Sequence, residues 1–368
     1  MSVIKSVATF SIVFLLSLLG IEGYLQLSEI DLSYHELNPD LGKKIQPDKR
    51  IIMLKEGFYL GRSNELGYLG PAYPRQKADP NTFRIALMGD SYAEGFQLMD
   101  RFHFRTLLEN QLTARTGKNV EVLNFGSGNF NFHDMHLAYR NFASEFEPDY
   151  VLYLVRPKSF EERNSHFIPS PYFYLENDSL SINYDFREKG VFQTYNRFDF
   201  LFENSAFLKM AQNCYKLASK GRAPQIIFDK FYKMFHYSEA KDIDLEDIDE
   251  EVDLTPVTLK VLEEIEASDK SMLMFRKKYP DNIAQYLDEH ELPFVQLGDT
   301  LEVLRAAGNH PRYWKATKKK GHWNHDGHQA VATYLTKILT PVVLGETEEE
   351  EQEVMEEELP EMESEGTE

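Results

Sequence analysis

Ile85-Ala86-Leu87-Met88-Gly89-Asp90-Ser91-Tyr92-Ala93-Glu94-Gly95 is the stretch that decides how this chain folds. An apolar run that predicts a buried strand ends abruptly at Gly89-Asp90-Ser91, and a helix-like segment follows. A serine at the carboxyl end of a buried parallel strand stands where open α/β sheets carry their chemistry. Its hydroxyl is a weak nucleophile until a neighbouring base takes the proton. Such a base is offered far downstream, in Gly321-His322-Trp323-Asn324-His325-Asp326-Gly327-His328. His322 is the candidate there, while His325 and His328 read as surface or capping residues of the helix that follows. Asn324 can cap that helix at its start, and Gly327 lets the chain pass close to the sheet.

Outward from Ser91, strand and helix patterns alternate from Thr82 onward. Phe83–Met88, Val120–Asn124 and Tyr150–Val155 read as strands. Phe102–Thr116 and His133–Phe146 read as the helices between and around them, with Phe104, Leu107, Leu108 and Leu112 at helical spacing. The alternation lapses over residues 156–282. Here the sequence predicts an aromatic and polar loop (Ser159–Phe192), a helix at Ser205–Lys220 and another near Leu259–Arg276. The first part of the acidic stretch Asp242–Asp253, Asp242–Asp249, places carboxylates at near-alternate positions but lacks the glycine that a calcium loop needs, so the stretch reads as an exposed loop. Regular structure resumes with a helix at Ile283–His290, a strand at Leu292–Leu297 and a final helix over His325–Leu339. The expected fold class is α/β, a three-layer α/β/α sandwich of flavodoxin-like type. Its mainly parallel sheet should have about five strands, with a helical or irregular insertion over residues 160–290.

Composition sets the outer limits. The chain has 368 residues, of which 42% are apolar and 13% aromatic, enough for a substantial core. The formal charge of −20 is concentrated at one end: Glu346–Glu368 carries 13 Glu and no Lys or Arg, leaving about −7 for the rest. That tail (residues 345–368) repels itself and reads as a solvated extension, solubilising or docking a basic partner. An acidic chain lacks the basic face that nucleic acid demands. Cys214 stands alone, so no intrachain disulfide can form. Ser6–Ile21 contains no charged residue and follows Lys5; residues 1–27 read as a signal anchor, with a cleaved signal or a soluble core helix as alternatives. Either membrane reading leaves Lys5 on the cytoplasmic side. Residues 28–81, with Pro39, Pro47, Pro71, Pro74 and Pro80, read as a stalk or lead-in to a domain spanning 82–344.

On these motifs the chain resembles the SGNH or GDSL hydrolase superfamily, in its membrane-anchored bacterial branch. The resemblance covers roughly Thr82–Phe160 and Leu292–Leu339. It implies that Ser91 is the nucleophile with its N–H in the oxyanion hole, supported by Asp90, and that His322 is the base, supported by Asn324. In Val122-Leu123-Asn124-Phe125-Gly126-Ser127-Gly128-Asn129, Gly128 is the better match for a second oxyanion N–H, with Gly126 as alternate. Two positions depart from the family pattern. Its Asn-Asp after the third strand is replaced by Pro157-Lys158-Ser159, which leaves Lys158 as an electrostatic oxyanion donor. The orienting aspartate before the histidine is replaced by Lys319 and Lys320. The resemblance implies an extracytoplasmic or secreted ester hydrolase or O-acyltransferase, working on acyl esters of cell-surface carbohydrate without metal or organic cofactor. The two departures keep a second reading open: a catalytically impaired relative that binds a glycan or a partner protein. A third is chance coincidence of the two motifs in an unrelated α/β protein.

Overall fold

A computed structural model describes residues 2–28, 34–162, 170–190, 192, 193, 197, 205–219, 252 and 254–346. In chain order its elements begin α1 (Ser2–Ser28), β1 (His35–Asn38), β2 (Gly42–Ile45), β3 (Arg50–Met53), β4 (Tyr59–Arg62), β5 (Phe83–Gly89) and α2 (Ser91–Glu94). There follow α3 (Phe104–Thr116), β6 (Val120–Asn124), α4 (Phe132–Asn141), β7 (Tyr150–Val155), β8 (Tyr172–Glu176), β9 (Ser179–Asn183) and α5 (Ala206–Ser219). The chain continues through α6 (Pro256–Glu266), β10 (Ser271–Phe275), α7 (Asp281–Glu289), β11 (Phe294–Gln296), α8 (Leu297–Ala306), β12 (Tyr313–Trp314), β13 (Lys319–Lys320) and α9 (His325–Leu344). These fall into two compact units: Met1–Ile52, Leu60–Tyr68 and Glu162–Ile248 form one, and Met53–Tyr59, Leu69–Glu161 and Asp249–Glu368 the other.

In the first unit, α1 contains the 26-residue apolar candidate span Val3–Ser28, whose 18-residue window has mean hydropathy 2.1. At 1.5 Å per residue that is about 39 Å of helix, more than a bilayer's hydrocarbon thickness. The uncharged run Ser6–Ile21 is shorter, but the helix continues through Glu22, whose carboxylate accepts hydrogen bonds from Ser205 Oγ (2.8 Å), Ala206 N (2.8 Å) and Phe207 N (3.0 Å) at the start of α5. Among the described residues this is the one helix long and apolar enough to cross a membrane. Hairpins β1–β2 and β8–β9 are antiparallel ribbons in this unit. Both lie where the sequence pattern predicts no regular structure, because their strands are short and mixed in polarity.

The second unit holds the central sheet, in the order β11-β10-β7-β5-β6 and parallel throughout. Its inner strands are buried on both faces, which is why Ile85–Met88 and Tyr150–Val155 read as continuous apolar runs. Alternation divides their side chains between two layers. Ile85, Leu87, Leu152, Leu154, Met272 and Met274 pack with Leu108 and Leu112 of α3, Leu301 of α8 and Leu335 of α9. On the opposite face Phe132 of α4 meets Tyr153 (6.0 Å between ring centroids), and Phe160 meets Phe275 (6.1 Å). This is the three-layer α/β/α arrangement. Each fully buried Leu or Ile contributes about 1.5–3 kcal/mol.

Several predicted elements are corrected. The helix near Leu259–Arg276 is two elements: α6 ends at Glu266, the chain turns at Asp269 (φ 47°), and β10 enters the sheet between β7 and β11. Ser271-Met-Leu-Met-Phe275 has no β-branched residue, so its composition favours helix while the sheet on both sides makes it a strand. The sheet thus resumes inside the stretch 160–290 expected as insertion. The strand expected over Leu292–Leu297 is Phe294–Gln296, and Leu297 starts α8, which the pattern does not predict. Within Ser159–Phe192, expected as loop, lies the β8–β9 hairpin. The acidic stretch Asp242–Asp253, apart from Val252, and the tail from Thr347 onward lie outside the described residues.

Candidate active site

The strand β5 ends at Gly89, and the chain reverses at once into α2. A Cβ on Gly89 would stand 2.6 Å from the Ala93 side chain, so only glycine permits so tight a turn. Asp90 caps the turn: its Oδ1 accepts from Tyr92 N (3.0 Å) and its backbone carbonyl from Ala93 N and Glu94 N. Its other oxygen pairs with Arg276 Nη2 at 3.0 Å, immediately after β10, and the same guanidinium lies 3.8 Å from the centroid of the Tyr92 ring. Ser91 is therefore fixed from both sides, through its neighbours 90 and 92. The loop after β6 is drawn to the same turn, with Ser127 N donating to Gly89 O (3.0 Å).

The structure brings the hydroxyl and the imidazole together across 231 residues of sequence: Ser91 Oγ lies 2.7 Å from His322 Nε2. His322 is held by its surroundings rather than by its own element. Trp314 Nε1 donates to its carbonyl (3.0 Å), and the Tyr92 ring lies 4.5 Å from the imidazole centroid. Behind it, buried Trp323 packs edge-on against Tyr92 (5.1 Å). Asn324 caps α9, its side chain accepting from Gly327 N (3.0 Å) and donating to His310 O and Tyr313 O. The two competing histidines are engaged in packing. His328 is buried, and its Nδ1 accepts from Phe104 N (3.1 Å); burial pushes its pKa well below the ordinary value, in keeping with a neutral acceptor. His325 stands edge-on to Phe102 (5.0 Å) and Trp314 (5.7 Å).

A third side chain, absent from the sequence reading, completes the line. Glu56 Oε2 lies 2.9 Å from His322 Nδ1 and also accepts from His322 N at 2.7 Å. Burial acts to raise the Glu56 pKa, but the hydrogen bonds and charge of His322 outweigh it and hold the carboxyl below its usual value. A carboxylate can only accept, so the imidazole hydrogen sits on Nδ1, and Nε2 is left with its lone pair toward Ser91. Two bonds from one residue to one carboxylate oxygen fix the ring orientation as well as the tautomer.

Glu56 reaches this position from the turn between β3 and β4. Its carbonyl accepts from Thr317 Oγ1, and the neighbouring Lys55 carbonyl accepts from Lys319 Nζ (2.7 Å). Two glycines make room. A Cβ on Gly57 would meet the Trp314 ring at 2.3 Å, and a Cβ on Gly321 would stand 2.2 Å from a Glu56 carboxylate oxygen. Tyr59, buried against Phe96 (5.4 Å), closes the turn. Lys319 and Lys320, which occupy the positions expected for an orienting acid, are exposed in β13, paired with Trp314 and Tyr313 of β12. The acid thus enters 266 positions before the histidine, from the segment read as a lead-in. Nothing in that segment's pattern marks it.

The expected oxyanion groups are arranged less tightly. Gly128 lies beside α2, where a Cβ would come 2.8 Å from Glu94 Oε2, and Gly126 lies under Ala93 and Glu94 N. Lys158 is exposed in the 3-10 turn Pro157–Phe160 after β7 and makes no hydrogen bond or ion pair with a described residue. Asn164, the next asparagine, lies outside the described residues.

No family model and no curated protein matches the chain. Solved structures do. A lipolytic protein of the G-D-S-L family from Desulfitobacterium hafniense DCB-2 matches at 12% identity over 70% of this chain and 99% of its own, with TM-score 0.34. An alpha/beta hydrolase enzyme from the metagenome of Lake Arreo, Spain, matches at 12% identity over 71% and 96%, TM-score 0.36. An acetylxylan esterase from Geobacillus stearothermophilus matches at 14% identity over 69% and 93%, TM-score 0.33.

Proposed function

We propose that the chain is a serine ester hydrolase of the SGNH type, acting on acyl esters through Ser91, His322 and Glu56. The observation that carries this reading is the unbroken line Ser91 Oγ–His322 Nε2 (2.7 Å) and His322 Nδ1–Glu56 Oε2 (2.9 Å). Ser91 attacks the ester carbonyl and passes its proton to Nε2; the imidazolium so formed is stabilised by the Glu56 carboxylate. The Ser91–acyl bond forms as the carbonyl π pair moves to oxygen, and the proton on Nε2 then leaves with the alcohol. The N–H groups of Ser91 and Gly128 hold the oxyanion, with Lys158 adding positive charge, each donor being worth about 100- to 1000-fold in rate. Water then releases the acyl group by the reverse sequence, and a sugar hydroxyl in its place would make the enzyme an O-acyltransferase. The carbohydrate esters suggested by the resemblance are the proposed substrates. On this reading α1 is an uncleaved signal anchor, with Lys5 in the cytoplasm and the catalytic domain outside.

The alternative of an impaired binding protein rests on two departures, the replaced oxyanion asparagine and the missing acid beside His322, and Glu56 supplies the second of these. A fluorophosphonate probe reacts only with an activated serine. The full chain should be labelled at Ser91 and should turn over 4-nitrophenyl acetate. The Ser91→Ala variant should lose both by about 10^6-fold in turnover while keeping its fold by circular dichroism. Undiminished turnover in that variant would reject the assignment.

A further inference from the structure

Around Ser91 the second unit gathers cations, although the chain as a whole is strongly acidic. Arg276 and Arg156 each follow directly on a strand end, and those ends, Phe275 and Val155, are register partners in the parallel pair β10–β7. Arg276 N donates to Val155 O at 3.0 Å, so the two arginines leave the sheet side by side. Lys277 follows. Arg312 arrives from the other flank, its Nε donating to Gly321 O (2.7 Å), one residue before the histidine, and the Tyr92 hydroxyl is directed at the same carbonyl.

These groups have different roles. Arg276 is buried and committed: it pairs with Asp90 and covers Tyr92. Arg156 and Arg312 are exposed, and neither has a carboxylate partner among the described residues. Burial first, and then the charges of Arg312 and Arg156, lower the pKa of Lys277. Burial also lowers Arg276, opposed by Asp90 and Tyr92 and reinforced by Arg156 and Arg312. The cations therefore sense one another across the end of the sheet. Like charges held together repel, and Asp90 offsets the charge of Arg276. Guanidinium groups with open forks at a strand-end site match the planar, bidentate geometry of carboxylate and phosphate.

We propose that Arg156, Lys277 and Arg312 form an anion-binding subsite beside Ser91, so that the ester presented to the serine belongs to a molecule bearing a carboxylate or phosphate near its acyl group. The inference rests on the hydrolase reading for its ester, but not for its anion. The subsite positions the acid group while Ser91 acts on the neighbouring ester.

The experiment measures kcat/KM of the full chain in detergent on three probes: mono-O-acetylated trigalacturonate, mono-O-acetylated xylotriose and acetylglycerol phosphate. It is repeated for the double variant Arg156→Gln/Arg312→Gln. In parallel, binding of trigalacturonate and xylotriose to Ser91→Ala is titrated. The wild type should prefer an anionic probe to the neutral one, and the double variant should lose at least about 10-fold of that ratio. The preference should also fall with added salt. Preference for the galacturonate or for the phosphate ester assigns the anion; either supports the subsite. Equal kcat/KM on charged and neutral probes overturns it. So does a double variant that loses activity on all probes alike, because that marks a structural role. If no ester is turned over, the hydrolase reading fails separately. The titration then decides the subsite: charge-selective binding upholds it, and equal binding overturns it.

Discussion

The Ser91 turn and the Glu56 turn sit at opposite ends of one hydrogen-bonded line, yet they are built on different principles. Ser91 stands on the end of a strand buried on both faces, held by a cap, an ion pair and a glycine that admits a sharp turn. Its position is dictated by the sheet. Glu56 stands on a hairpin turn, held by Thr317 and Lys319 to its backbone and by two bonds from His322 to its carboxylate. Its position is dictated by the residues it serves. On the proposed mechanism the serine calls for a rigid support, whereas the acid can come from any segment that reaches the far side of the ring.

That difference can be tested at its weaker end first. Glu56→Gln keeps the shape and removes the charge. Turnover of 4-nitrophenyl acetate should fall about 10^3- to 10^4-fold, mainly in kcat, with the fold intact. A loss under about tenfold would mean that the ring is oriented by something else. Gly321→Ala is subtler, since the added methyl would stand 2.2 Å from the Glu56 carboxylate. It should cost about 100-fold by pushing the acid off Nδ1, and the same substitution in a Glu56→Gln background should cost far less. Equal costs in both backgrounds would place the damage elsewhere.

The third test is pH dependence. Because the folded protein holds the Glu56 carboxyl below its ordinary value, ionised Glu56 contributes stability that is fully present above the ordinary carboxylate range. That contribution is lost as pH falls through the lowered folded value. The unfolding free energies of wild type and Glu56→Gln should therefore differ by about 1–2 kcal/mol at pH 7, and the gap should close as the pH falls through the lowered folded value of the Glu56 carboxyl. A gap that persists unchanged at low pH would assign the effect to packing.

The legibility of this chain follows the same division. The sheet strands β5, β6 and β7 and the serine and histidine motifs are written in local pattern: continuous apolar runs, a glycine at the turn, an asparagine cap. β10 escapes because Met and Leu carry no strand signature and the preceding helix shares its apolar character. Glu56 escapes for a deeper reason. One glutamate among many in a polar segment acquires meaning only when His322 arrives beside it, and no local spacing encodes a contact 266 residues away. Lys319 and Lys320 misdirect for the converse reason: they hold the right positions in the chain, but their strand turns them to solvent.

The direct test of the central claim is whether the three side chains act as one unit. Turnover should be measured for Ser91→Ala, Glu56→Gln and the double variant under identical conditions. The account predicts that the double variant is no slower than Ser91→Ala alone, because the acid works only through the serine. Losses that multiply, with Glu56→Gln costing the same factor whether or not Ser91 is present, would contradict it.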